Sequence, residues 1–149
     1  MYRRKIAALA VAGLAAASVL AGAGAAGASG ISVKVSPSKG LVNAQTVTIT
    51  GSGLGKTTHG STSTWFADEC NALVTGKLTT ADTPHCDVSV AKTLTVSKSG
   101  SFTSKFTVAT GTVGDGVCGV TGHLTCVIGI GTASGKGTVV KITFKAPPG

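Results

Sequence analysis

From Ile31 onward the chain alternates apolar and polar residues with a period of two, the signature of strands with one buried face. Ile31-Ser-Val-Lys-Val and Thr46-Val-Thr-Ile-Thr show it most cleanly. Residues 62–69, which hold the single Trp, read the same way, as do 88–96 through Val88, Val90, Leu94 and Val96. Phe102 to Val108 and Val139 to Phe144 continue the pattern, and Thr125 to Ile130 is apolar on both faces. No segment after residue 30 sustains a helical period. The count is about seven strands, separated by Gly, Ser, Asn and Pro turns, which predicts an all-β, antiparallel sandwich. The many threonines fit it, because a β-branched side chain suits the pleat and its hydroxyl suits solvent.

One stretch looks like a departure. TVTITGSGLGKTTHG (46–60) runs from a strand into a glycine-rich turn ending Gly55-Lys56-Thr57, almost a phosphate-binding loop. The register fails, since Thr50 stands where the first glycine is needed. The dinucleotide pattern fails as well, with Lys56 in place of its third glycine. Such a loop must also open a helix whose N-terminus holds the phosphate, and residues 57–64 are turn and strand material. The stretch reads as a corner between strands, with no nucleotide site at Lys56.

The N-terminal segment has a different character. Arg3, Arg4 and Lys5 precede an apolar run from Ile6 to about Ala21, followed by Ala26-Gly27-Ala28. Positive, apolar and small-residue regions in that order predict a secretory signal over 1–28, cleaved after Ala28, with Ala25 as the second choice. The run is shorter than the roughly 20 apolar residues of a membrane span. The expected mature domain is 29–149, secreted and free of the membrane. It keeps ten lysines against five acids, so the net charge falls from +8 to +5. These lysines are scattered rather than clustered, and both arginines are lost with the signal, which argues against direct nucleic-acid reading.

All four cysteines, Cys70, Cys86, Cys118 and Cys126, lie in the expected mature part. An even count in an exported domain reads as disulfides, with three possible pairings. Zinc would need closer ligand spacing than 16 and 8 residues, so no metal is expected. His59, His85 and His123 fall in predicted loops, and Asp68 and Glu69 are adjacent on a strand and point to opposite faces. No nucleophile, base and orienting acid are visible together, so no catalytic residue is assigned and the protein is expected not to be an enzyme.

The run VKVSPSKGLVNAQTVTITGSGLG (33–55) resembles the first hairpin of the neocarzinostatin family, through Pro37-Ser38-Lys39-Gly40-Leu41 and Gly51-Ser52-Gly53-Leu54. TCVIGIG (125–131) is similar to the family's strand after its last cysteine, and GTVVKITF (137–144) to its terminal strand. The resemblance spans Ile31 to Phe144. It implies a seven-stranded immunoglobulin-like β-sandwich with disulfides Cys70–Cys86 and Cys118–Cys126. It implies a monomeric carrier without covalent cofactor that shields a small hydrophobic ligand, a non-covalent enediyne-like chromophore. Any antimicrobial or DNA-damaging action would then belong to the ligand, and DNA would be met only through it.

In the family the strand face carrying the first cysteine lines the cleft. By parity this places Phe66 and Asp68 there, and after the last cysteine Val127, Gly129 and Gly131. Trp65, Ile128 and Ile130 are then core. This chain departs from the family in having Ala72 in place of an aromatic and no aromatic in ATGTVGDGV (109–117), the counterpart of the family's hairpin. Val127 and Gly131 replace polar side chains, and the loop between the first two cysteines is longer. The alternative expectation is a secreted structural or adhesive domain of the same fold without a small-molecule ligand.

Overall fold

The computed structural model describes residues 30–54 and 64–148. The expected signal segment and the Gly55-Lys56-Thr57 corner lie outside the described residues.

Within these residues the chain is all-β and antiparallel. Strands β1 (Ser32–Ser36), β2 (Thr46–Ser52) and β5 (Phe102–Thr107) form one sheet in the order β1-β2-β5. Strands β3 (Trp65–Cys70), β4 (Lys92–Leu94), β8 (Thr125–Thr132) and β9 (Gly137–Thr143) form a second, in the order β4-β3-β8-β9. Strands β6 (Gly111–Val113) and β7 (Gly116–Cys118) form a separate hairpin. The described residues thus hold nine strands in three sheets rather than seven, although each of the seven expected runs contains a strand.

Two local effects account for the differences. The β6–β7 hairpin turns in two residues, Gly114 and Asp115, and its strands are too short and glycine-rich to show a period. Gly114 has φ of 57°, a region that disfavours residues with a Cβ. The expected strand 88–96 is strand only over Lys92–Leu94. Before it, the Asp87 side chain accepts from the Ser89 N–H at 3.1 Å and caps a 3-10 turn over Val88–Val90. The exposed Val88 and Val90 therefore alternate in sequence without alternating across a sheet.

The core lies between the inner faces of the two larger sheets. Val35, Val47, Ile49, Phe102 and Phe106 from one face meet Trp65, Ala67, Leu94, Ile128, Ile130 and Ile142 from the other in a single apolar cluster. Burying side chains of this size stabilises by roughly 1.5–3 kcal/mol each. The β1–β2 connection ties the sheets together at one end. Its Leu41 is fully buried, donates its N–H to Thr143 O at 3.0 Å and accepts at its carbonyl from the Lys145 N–H at 2.7 Å. Both disulfides implied by the family resemblance, Cys70–Cys86 and Cys118–Cys126, are present.

Candidate functional site

The register of β3 against β8 positions the site. Phe66 lies opposite Gly131, Asp68 opposite Gly129 and Cys70 opposite Val127. All five residues assigned from parity therefore share the outer face of the four-stranded sheet. Trp65, Ala67 and Glu69 point the other way and are buried, as are Ile128 and Ile130.

A long loop covers this outer face. It leaves β3 at Cys70, returns at the Cys70–Cys86 bridge and includes a 3-10 helix over Thr80–His85. Asp82 fixes the start of that helix, accepting from the Thr79 N–H and hydroxyl at 2.7 Å each, while the Asp82 N–H donates to Thr79 O at 3.1 Å. Cys70, Val74, Cys86 and Val127 pack into a second apolar cluster against Leu78 and Val139. Burial of this outer face explains why β8 is apolar on both sides.

A cleft of about 360 Å³ remains between sheet and loop. Phe66, Asp68 and Gly131 supply its floor, Leu78, Thr80 and Val88 part of its loop wall, and the β8–β9 turn its far rim. Val127 and Gly129 share the face but do not line the cleft. Val127 is taken up by the second apolar cluster. Gly129 lies under its neighbours, since a Cβ there would sit 2.5 Å from Asp68 Oδ1 and 3.3 Å from Leu78 Cδ2. A Cβ on Gly131 would sit 2.6 Å from the same Leu78 methyl. The glycines thus make room for this chain's own Asp68 and Leu78. Nothing in the pattern around Leu78 marks it, because an isolated Leu in a loop has no period.

The Asp68 carboxyl is pushed up to about 6 by burial, partly offset by a hydrogen bond from its own backbone. Its Oδ1 lies 3.7 Å from Cys70 Sγ, which is disulfide-bonded and has no proton to give. Among the described residues, no donor from another residue reaches this carboxylate.

Glu69, on the core side, is 1% exposed. Burial pushes its carboxyl up to about 7; the Ala109 N–H, donating to Oε2 at 2.8 Å, opposes the shift, and the Asp87 charge adds to it. Its Oε1 has no partner among the described residues. Each of the two carboxylates lies within 4.8 Å of a pair of cysteine sulfurs. Those sulfurs are bonded to one another, which leaves one ordinary metal ligand in each cluster.

A further constellation joins residues far apart in sequence. His85 Nδ1 lies 2.8 Å from Asp115 Oδ1, which also accepts from the buried Asn71 amide at 2.9 Å. The His85 hydrogen bond above all, with that from Asn71, holds the Asp115 carboxyl below its usual range, against an opposing effect of desolvation. The pair fastens the tip of the β6–β7 hairpin to the loop over the cleft, as does Asp115 N–H donating to Pro84 O at 2.8 Å. It has the form of a base with its orienting acid, yet among the described residues no hydroxyl or thiol is hydrogen-bonded to His85. The separation of 30 residues left no signal in the sequence.

No family model and no curated protein sequence matches the chain. Among solved structures it is similar to macromomycin, with 26% identity and a TM-score of 0.52, covering 76% of this chain and 98% of that one. It is also similar to the solution conformation of apokedarcidin, with 25% identity and a TM-score of 0.49, covering 77% and 98%. Both are proteins of the neocarzinostatin family, the family whose motifs the residues resemble.

Proposed function

We propose that the protein is a secreted carrier apoprotein, an immunoglobulin-like sandwich that holds a small hydrophobic ligand of the enediyne type, non-covalently, on the outer face of its four-stranded sheet. The observation that carries this reading is the cleft over Phe66, Asp68 and Gly131, in a fold similar to that of macromomycin. Its volume is at the small end of the roughly 300–1,000 Å³ usual for ligand pockets. The protein works as a monomer and performs no chemistry of its own. Phe66 supplies apolar contact, the disulfide-anchored loop excludes water, and any antimicrobial or DNA-directed effect is that of the released ligand. The two disulfides support export, because they suit an oxidising compartment.

Native mass spectrometry of the protein purified from the cells that make it tests this directly. A retained small molecule, with absorbance beyond that of the single Trp left after removal of the signal and its Tyr2, is the expected result. One observation favours a second reading, a structural domain without ligand: Leu78 already fills the space above Gly129 and Gly131. Protein that leaves its producer with no bound molecule and takes up no hydrophobic probe would establish that reading instead.

A further inference from the structure

Among the described residues, Asp68 is the only ionisable side chain on the cleft wall, and Cys86 beside it is in a disulfide. The rest of the described lining is apolar or carries threonine hydroxyls, and no Lys or Arg among the described residues reaches it. A carboxylate in such a place has lost water without gaining a partner among the described residues. An incoming neutral ligand would desolvate it further, and an anion would be repelled. A cation able to donate a hydrogen bond offsets the loss, and charge-assisted hydrogen bonds are the strong ones. Phe66, next to it on the same face, offers a ring to an aromatic body or to the cation itself. Leu78, resting on Gly129 and Gly131, limits the depth.

We propose that the cleft receives a compact aromatic ammonium group, with its nitrogen on the Asp68 carboxylate, its ring against Phe66 and its size limited by Leu78. This rests on the carrier reading and adds the chemistry and size of what enters.

The test is calorimetry on the purified protein at a pH well above 6, where Asp68 is ionised. The probes are 1-naphthylmethylamine and its neutral counterpart 1-naphthylmethanol. The amine should bind roughly ten- to a hundredfold tighter, the worth of a hydrogen bond to a charged group. Asp68→Asn should bring the two probes to parity by weakening the amine and leaving the alcohol unchanged. A thermal melt checks that this variant is folded, and Asp68→Ser serves if it is not. Equal affinities in the wild type, or an amine preference that survives in a folded Asp68 variant, overturn the proposal while the carrier reading stands. Binding of neither probe overturns the proposal, and it overturns the carrier reading as well where native mass spectrometry finds no retained molecule. The three-ring 9-anthracenylmethylamine should be excluded by the wild type and admitted by Leu78→Ala; equal binding to both overturns the size limit.

Discussion

Strand β3 places two acids side by side and sends them to opposite environments. Glu69 enters the core with one oxygen on the Ala109 N–H and the other unpartnered, while Asp68 faces a cleft open to small molecules. Burial raises both carboxyls. Each lies beside a disulfide, Cys118–Cys126 on the core side and Cys70–Cys86 on the cleft side. The two faces share chemistry and differ in what can reach it. In the proposed carrier a ligand relieves Asp68, whereas only a proton or a change of packing can relieve Glu69.

The largest expected contrast is between the two aromatics that open the strand. Trp65 is 6% exposed in the main core, and Trp65→Ala should destabilise by roughly 3–5 kcal/mol, as truncation of large core side chains does. Phe66 is only half-buried on the cleft wall, so Phe66→Ala should cost far less. Denaturant melts of the two variants decide it. If Phe66→Ala unfolds the domain and Trp65→Ala is silent, the strand register is wrong by one, and every residue placed on either face changes sides.

The disulfides extend the contrast. Replacing either pair by alanines should cost roughly 2–4 kcal/mol, the usual worth of a native bridge. Loop closure favours the Cys70–Cys86 bridge by about 0.6 kcal/mol per doubling of loop length, and its separation of 16 is twice that of Cys118–Cys126. The cleft should respond only to loss of Cys70–Cys86, which anchors its covering loop. Chemical denaturation and probe binding measured on both variants test this, and equal loss of binding in the two would break the assignment of bridges to faces.

Glu69 should make the fold sensitive to pH. Unfolded, it ionises near its ordinary 4.5; folded, near 7. Between these values the folded state holds the extra proton. Stability is therefore full below about 4.5, falls as pH rises through this window and levels off above about 7. At about 1.4 kcal/mol per unit the fall is roughly 2–4 kcal/mol. Asp68 acts in the same direction over a lower window, from 3.8 to about 6. Glu69→Gln should flatten the upper part of the profile and Asp68→Asn the lower part. A Glu69→Gln variant that keeps the whole slope would show that Glu69 is ionised and satisfied in the folded state.

Much of this contrast was legible in the sequence because strand parity is a local property. The alternation around Trp65 and Cys70 separated the two faces, as it did Ile128 and Ile130 from Gly129 and Gly131, and the family resemblance assigned the Cys70 face to the cleft. What escaped was set by contacts distant in sequence. The β6–β7 hairpin gains its order from a tip docked on Pro84 and His85, with Gly114 packed so closely that a Cβ would lie 2.5 Å from backbone atoms of both. Val88 and Val90 carry a strand pattern that the Asp87 cap overrides. The roles of Gly129 and Gly131 depend on a leucine about fifty residues away, which no local rule connects to them.

That distant contact gives the smallest and most specific prediction, a double-mutant cycle between Leu78 and Gly131. In the wild type, Gly131→Ala places its Cβ 2.6 Å from Leu78 Cδ2 and 3.3 Å from Lys136 O. The leucine methyl is the end of a flexible side chain and can move, so the cost should be modest. Leu78→Ala alone removes a partly buried methyl cluster and the pressure on Gly131 together. If Leu78 rests on the glycine floor, Gly131→Ala should be destabilising in the wild type and close to neutral once Leu78 is truncated. The coupling should then reach about 0.5–1 kcal/mol, in the range found for residues in contact. Urea melts of the two single variants and the double variant measure it. Strict additivity would mean that Leu78 does not occupy the floor, and the depth of the cleft would then be set by Asp68 and Phe66 alone.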